Sequence, residues 1–463
     1  MNAVIFWNSV LLEANRRDFT RGFPNGQNPG PIATTRAMAI VHIAIHDAIA
    51  QKTKPAAAYL PVWSPGTVLP PVTGTVLVDV IAGAAATAIK AVYPKSAGLV
   101  DGLIGAVDAL SFNDGAAIAN AVLTARTVDG SGGDLTTPSQ KNPIYGDHRA
   151  DPFDPGQRQL GATWGMVLRF TNVGHKPLAA YPGHANRPIK AFLADSHYHQ
   201  DFVEVRDQGG LNAPARTPEQ QRIGTYWGYD GANELGVPPR LYNQMLQKLA
   251  IDKGLNLAKC ADLFAIANIA MADSGIDAWH YKYFYKLWRP VVGIRNEVVP
   301  AEDDPFWVPL GAPQTNASKV GQTPPFPAYP SGHATFGSAI FQVMRLFLAT
   351  APGKITLADV LAHDKTVPAP PTIGPEEFDF VSDELDGAAR DADGSVRTRV
   401  SVHFSSFSRA VWENAVSRVY LGVHWRFDGL PRKAADNIGG VPLGLDIGEE
   451  AFTYFKSNNL LVG

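Results

Sequence analysis

The sequence predicts an all-α fold, and three observations carry that expectation. Apolar residues recur at i, i+3 and i+4 through the readable segments, as they do on packed helices. No convincing series of alternating strand segments is found. Proline- and glycine-rich stretches punctuate the periodic runs.

Taken in order, Thr34 to Ala50 places Ala37, Ile40, Val41, Ala44, Ile45 and Ala48 on one face. Val72 to Val92 is rich in alanine and valine, and Asn113-Asp114 reads as the cap of a helix over Ala116 to Arg126. Further helices are expected over Leu241 to Ile251, Ala258 to Asp273, Ser274 to Trp288, Ala334 to Leu348 and Phe404 to Gly422. Irregular chain is expected at Gly22 to Pro31, Ser131 to Gly156, Pro300 to Pro330 and Pro352 to Gly374, lengths that suit binding loops or surface excursions. Clustered basic and histidine residues concentrate after residues 200–220, which suggests two units, 1–215 and 216–463.

The 463 residues suffice for two domains or one large helical unit. With 45% hydrophobic and 18% charged residues the composition is that of a soluble globular protein. A formal net charge of −3 gives no support for a nucleic-acid or membrane-surface partner. No run approaches the ~18 consecutive apolar residues of a membrane span. Met1 to Val10 has no basic region and no small-residue cleavage site, so a cytoplasmic or non-classically secreted chain is expected. The single cysteine, Cys260, has no partner for a disulfide, and its apolar surroundings point to a buried, inert thiol.

The chemistry concentrates in three segments: Lys282 to Pro290, Pro330-Ser331-Gly332-His333, and Ser417 to Asp428. Lys282 and Arg289 are seven apart, two helical turns, and are expected on one helix face. Arg418 precedes His424 by six and His424 precedes Asp428 by four, which a helix with a bent end brings together. Ser331, Gly332 and His333 directly precede an apolar helix, placing a hydroxyl and exposed backbone N–H groups at a helix N-terminus. Two guanidiniums and an ammonium in one pocket call for a multivalent anion, because buried charge needs a partner. Arginine forks suit tetrahedral oxygens, and Gly332 lets backbone approach them. Separately, Lys282 with Arg289 reads as a solvated helix face, Ser-Gly-His as a turn and cap, and His424 as a structural histidine. Their joint spacing outweighs those readings. His42 and His46 share a face at i, i+4, but no third ligand follows and a structural role is expected.

These three segments resemble, position for position, the signature of the type-2 phosphatidic acid phosphatase superfamily, which includes the vanadium-dependent haloperoxidases. Asp304 to Pro313, Pro325 to Gly337, Val396 to Arg399, Ser417 to Asp428 and Gly439 to Gly444 are similar to the fungal vanadium chloroperoxidase branch. So are Trp7-Asn8, Arg36 to His42 and His46-Asp47-Ala48, so the likeness covers nearly the whole chain. The resemblance implies two four-helix bundles with an oxyanion site at the end of the C-terminal one. It implies a vanadate cofactor, with His424 as the metal ligand and Lys282, Arg289, Ser331, Gly332 and Arg418 on its oxygens. It further implies His333 as acid–base, Lys282 polarising the peroxide oxygen that halide attacks, and Asp230 as the partner that orients Arg418. Phe326 and Trp279 would line the halide pocket, where an apolar wall keeps the ion poorly hydrated. The implied partners are hydrogen peroxide, halide and small organic acceptors.

Two departures stand out. The chain is shorter than the fungal enzymes between Asp428 and Gly439 and at its tail, which bears on loop-dependent stability and halide access. The excursion from Pro352 to Gly394 is longer than in compact phosphatases and favours the haloperoxidase branch. The alternative is a soluble acid phosphatase in the same pocket, with His424 as phosphate-accepting nucleophile, Asp428 orienting it and His333 protonating the leaving group. Vanadate and phosphate are both tetrahedral, and phosphate also suits a site free of vanadate. A non-catalytic oxyanion-binding protein is a third reading, and it leaves His333 without a task.

Overall fold

The computed structural model of the protein describes residues 2–23, 26–140, 143–186, 195–296, 303–311, 323–349, 353–364, 376–391 and 394–463. The fold is all-α. The N-terminal helices are α1 (Ala3–Asp18), α2 (Gly30–Thr53), α3 (Leu60–Trp63), α4 (Leu77–Val92), α5 (Ala97–Leu103) and α6 (Ala109–Ala125). They are followed by α7 (Ser196–Gly209), α8 (Pro218–Tyr226), α9 (Pro238–Asp252) and α10 (Leu257–Tyr285). The chain ends with α11 (Pro290–Arg295), α12 (Gly332–Leu348), α13 (Leu357–Leu361), α14 (Phe407–Tyr420), α15 (Arg426–Gly429) and α16 (Gly440–Ser457).

Local chemistry fixes many helix starts. Asn2, Asp108, Asn256, Ser331 and Ser406 each accept a hydrogen bond from a first-turn N–H, and Thr217 with Gln220 forms a reciprocal box at α8. The expected cap at Asn113-Asp114 is therefore corrected: α6 begins at Ala109 on Asp108. Asp114 instead accepts from the N–H groups of Thr73 and Gly74, tying down the chain before α4. The two helices expected over 258–288 are one, α10, because nothing between Asp273 and Ser274 stops the helix. The expected start at Phe404 is also corrected, since α14 begins at Phe407.

Helix α10 is the spine. It packs on α2 along one side and on α12 and α16 along the other, while α2 also meets α4 and α6. α12 in turn meets α14 and α16. Glycine sets the closeness of α16 to α12: a Cβ at Gly444 would lie 2.2 Å from the Thr335 carbonyl oxygen, and one at Gly448 2.4 Å from that of Ala339. Only a residue without a side chain permits that backbone approach. By length and composition α2 could cross a membrane, contrary to the sequence expectation, but it is buried among α4, α6 and α10 as a core helix. The division expected after residue 215 falls in the turn between α7 and α8.

Among the described residues, four short strands escaped the sequence reading. β1 (Thr136–Thr137) pairs antiparallel with β2 (Gln159–Leu160), and β3 (Phe378–Val381) with β4 (Ser401–Phe404). The expected loops at 22–31, 131–156, 300–330 and 352–374 lie partly outside the described residues, and the described part of the last holds α13. Cys260 is fully buried, and burial pushes its thiol up to about 11. His42 and His46 are structural in their contacts: His42 Nε2 lies 3.0 Å from Asn8 Oδ1, and His46 Nε2 3.0 Å from the Leu460 carbonyl.

Candidate active site

The three segments converge, though not as the spacing suggested. Lys282 lies in the last turn of α10, but Lys286 adopts a left-handed conformation (φ 53°) and ends the helix. Arg289 is extended (φ −77°, ψ 156°) as the residue before Pro290 and becomes the N-cap of α11. The two cations are thus brought together by a chain reversal, not by a shared helix face. Ser331 caps α12, its N–H donating to the Asp428 carbonyl at 2.7 Å. Arg418 lies in the last turn of α14, the chain bends at Gly422 (φ 69°), His424 precedes α15 and Asp428 lies within it.

His424 is held by both ring nitrogens. Nδ1 lies 2.8 Å from Asp428 Oδ2, which also accepts the Trp425 N–H at 2.9 Å. A carboxylate only accepts, so Nδ1 carries the proton and Nε2 presents its lone pair. That lone pair faces Arg289 Nη1 at 2.9 Å. Arg289 also donates from Nε to the Phe326 carbonyl and from Nη1 to the Val423 carbonyl. Arg418 Nη2 is clamped by both oxygens of Asp230, at 2.7 and 3.0 Å. Lys282 Nζ donates to the carbonyls of Pro327, Ala328 and Pro330, so its three donors all serve the loop before Ser331.

Burial dominates the electrostatics. It pushes the Lys282 ammonium well below its usual range, with Arg289 adding to the effect. Burial, with Arg418 adding to it, lowers Arg289 to about 9. His424 falls well below 6.5 through burial and the neighbouring Arg289, Lys282 and Arg418. His333 drops to about 3, again through burial first and Arg418 second. Burial raises the Asp428 carboxyl, while Lys282 and Arg289 pull it down. Lys282, Arg289 and Arg418 thus share a buried pocket with Asp230 and Asp428, where burial disfavours charge on Lys282, Arg289 and Asp428 alike.

Several buried polar atoms there have no partner: Arg289 Nη2, Arg418 Nε and Nη1, and Asp428 Oδ1. Buried guanidinium N–H groups left unmatched are costly, and their convergence near a helix N-terminus suits an oxyanion. The donor set thus fits vanadate or phosphate. Beside it opens a cavity of ≈ 280 Å³, lined by His424, His333, Gly332, Asp230, Phe326 and Trp279 among others. The Trp279 and Phe326 rings are 4.6 Å apart, and Lys282 Nζ lies 5.4 and 5.1 Å from their centroids.

The structure also brings in residues the sequence reading missed. Tyr242 and Asn414 both donate to the His333 carbonyl, at 3.2 and 2.8 Å, fixing the first turn of α12. His333 Nε2 donates to the Gly228 carbonyl at 2.8 Å and lies 3.8 Å from Asp230 Oδ1. His148 is buried with its Nδ1 unpartnered, and Arg289 and Lys282 help burial to lower it to about 3. The cavity also takes Phe19, Pro31 and Leu160 from the N-terminal half. None of these has a local sequence signature, since only the tertiary fold brings them near.

Comparison with known proteins bears on the family and the fold. The profile of the vanadium chloroperoxidase N-terminal domain matches residues 1–101, and that of the VCPO second helical-bundle domain matches residues 262–458. The chain is 32% identical to the vanadium chloroperoxidase of Curvularia inaequalis, over 97% of this chain and 89% of that one. A bacterial vanadium-dependent iodoperoxidase superposes with a TM-score of 0.68 at 19% identity, covering 98% of this chain and 96% of that one. The apo and holo forms of a bacterial vanadium-dependent chloroperoxidase superpose with TM-scores of 0.62 at 15% identity. Each covers 93% of this chain, and 95% and 93% of theirs respectively.

Proposed function

The chain belongs to the vanadium chloroperoxidase family, and on that premise we propose that it is a vanadate-dependent haloperoxidase oxidising chloride or bromide with hydrogen peroxide to hypohalous acid. The observation that carries the reading is the His424 lone pair, fixed by Asp428 and facing Arg289 at 2.9 Å, in a pocket where Arg289 and Arg418 also hold unmatched guanidinium donors. His424 Nε2 is the ligand to vanadium in this reading. Arg289 and Arg418 donate to the oxygens, as do the Ser331 hydroxyl and the Gly332 N–H at the α12 N-terminus. Bound vanadate supplies a Lewis-acidic centre that activates peroxide without changing oxidation state.

The protein's own residues do the rest. Arg289 Nη1, 2.9 Å from His424 Nε2, would donate to an oxygen of the bound anion instead, leaving the lone pair free. Asp230 holds Arg418 so that Nε and Nη1 stay directed at the anion. His333, held low by burial and Arg418, would gain basicity as a bound anion offsets Arg418, and so could move protons to and from the reacting oxygen. Lys282, bound to three carbonyls, acts by charge and must release one carbonyl to reach a peroxide oxygen. Trp279 and Phe326 exclude water around the halide. The division into bundles 1–215 and 216–463, with the site on the second, belongs to the same reading.

The test is halogenation of monochlorodimedone with peroxide, with and without vanadate, in chloride and in bromide. The expected result is vanadate-dependent halogenation. Hydrolysis of p-nitrophenyl phosphate without halogenation would overturn it in favour of a phosphatase.

A further inference from the structure

The cavity in front of His424 is larger than the inorganic reactants need. Halide and peroxide each take roughly the ~30 Å³ of a water molecule, and a tetrahedral oxyanion a few times that. The cavity measures ≈ 280 Å³. Its floor is the reacting end, with His424, His333 and Gly332 beside Trp279, Phe326 and Phe336. Its more exposed lining, Phe19, Pro31, Pro324 and Pro325, gives an apolar rim. Among the described lining residues the one lysine or arginine is the exposed Arg158, whose Nη2 donates to the Thr136 carbonyl at 2.9 Å, while the lining carboxylate, Asp230, is held by Arg418.

A small apolar cavity with a cation at one end and a reactive centre at the other has a polarity. It matches a flat molecule with an apolar body and an anionic end, which lies with its ring against Trp279 and Phe336 and its charge at Arg158. We propose that this cavity binds the organic acceptor, a one-ring or two-ring electron-rich aromatic bearing a carboxylate, and that the acceptor is halogenated while bound. The proposal rests on the haloperoxidase reading above and names the substrate class for that same site.

The chemistry balances as follows. The halide electron pair attacks a peroxide oxygen, the O–O bond breaks, and halide loses two electrons as peroxide gains them, giving HOX and water with uptake of one proton. A ring carbon then takes X⁺ from HOX, and the displaced hydroxide leaves as water with the ring proton. The sum is ArH + X⁻ + H2O2 + H⁺ → ArX + 2 H2O. Retention of HOX in a cavity already holding the ring makes the second step intramolecular in effect.

The test is a competition. Equal amounts of 4-hydroxyphenylacetate and 4-methylphenol are brominated by the vanadate-loaded enzyme with bromide and peroxide, and separately by slowly infused hypobromite. The enzyme is expected to favour 4-hydroxyphenylacetate about twofold to fivefold beyond the reagent ratio, the range of one partly exposed charge pair. Arg158→Glu is expected to abolish or reverse that preference, and Pro31→Trp, which crowds the apolar rim, to bring the ratio to that of the reagent. Triiodide formation from iodide needs no organic acceptor and is expected to persist in both variants. Arg158 is exposed, so its variant serves if Pro31→Trp misfolds. A wild-type ratio equal to the reagent ratio, or an Arg158→Glu ratio equal to wild type, overturns the proposal. Absence of vanadate-dependent triiodide in the wild type overturns the haloperoxidase reading and the proposal with it.

Discussion

His424 Nδ1 and Asp428 Oδ2 lie 2.8 Å apart, both buried, across the start of α15. The carboxylate fixes the tautomer of the imidazole and so turns Nε2 toward the cations of Lys282, Arg289 and Arg418. Removing it frees the ring. Asp428→Ala is expected to weaken vanadate binding about 10-fold to 100-fold. Isothermal titration of the apoprotein with vanadate measures this, and an unchanged affinity contradicts the role.

The pocket holds uncompensated cationic donors, so an oxyanion is expected to stabilise the fold by mass action. At about 100 times its dissociation constant the gain is about 2.7 kcal/mol. Melting temperature should rise with orthovanadate and with phosphate, and Arg418→Ala should reduce both shifts. A melting temperature indifferent to both anions contradicts the site.

Stability should depend on pH through the histidines whose titration the fold shifts, three of them lowered and buried and His363 half-buried. His42, His148 and His333 are lowered from 6.5 to about 3, and His363 to about 4. A lowered histidine binds its proton more readily when unfolded, so its stabilisation is complete above about 6.5 and is lost as pH falls toward 3. His46 has the opposite sign: raised to about 9, it stabilises below 6.5 and loses that contribution as pH climbs through 9. Unfolding midpoints in urea between pH 4 and 8 should fall steeply on the acid side, and His333→Gln should flatten that slope.

Gly444 lets α16 lie against α12, whose first turn carries Ser331, Gly332 and His333. Gly444→Ala drives a Cβ into the Thr335 carbonyl, with a cost of about 1–3 kcal/mol or more. Both melting temperature and vanadate-dependent activity are expected to drop together, because the displaced helix bears the anion cradle.

The all-α class was legible from periodicity, and six of the eleven singled-out residues, Asp230, Trp279, Phe326, Gly332, His333 and His424, line one cavity, with Arg289, Arg418 and Asp428 bonded to members of that lining. What failed was geometry between segments. Lys282 and Arg289 look like helical neighbours until Pro290 is given its weight against helix at Arg289. Asn113-Asp114 and Asp108 both offer capping chemistry, but Asp108 takes the Ser111 N–H while Asp114 is engaged by Thr73 and Gly74, far away in sequence. β3 and β4 are four residues each, too short for their alternation to stand out. The saturation of Lys282 by carbonyls at 327, 328 and 330 depends on a loop path that no local pattern specifies.

The most direct measurement is vanadate titration of apoprotein, wild type and His424→Ala, with bromide oxidation followed at each step. The account predicts that wild-type activity rises from background to a plateau at one equivalent of vanadate, while His424→Ala, still folded by circular dichroism, neither retains vanadate nor gains activity. Stoichiometric vanadate on His424→Ala, or wild-type activity indifferent to vanadate, would contradict it.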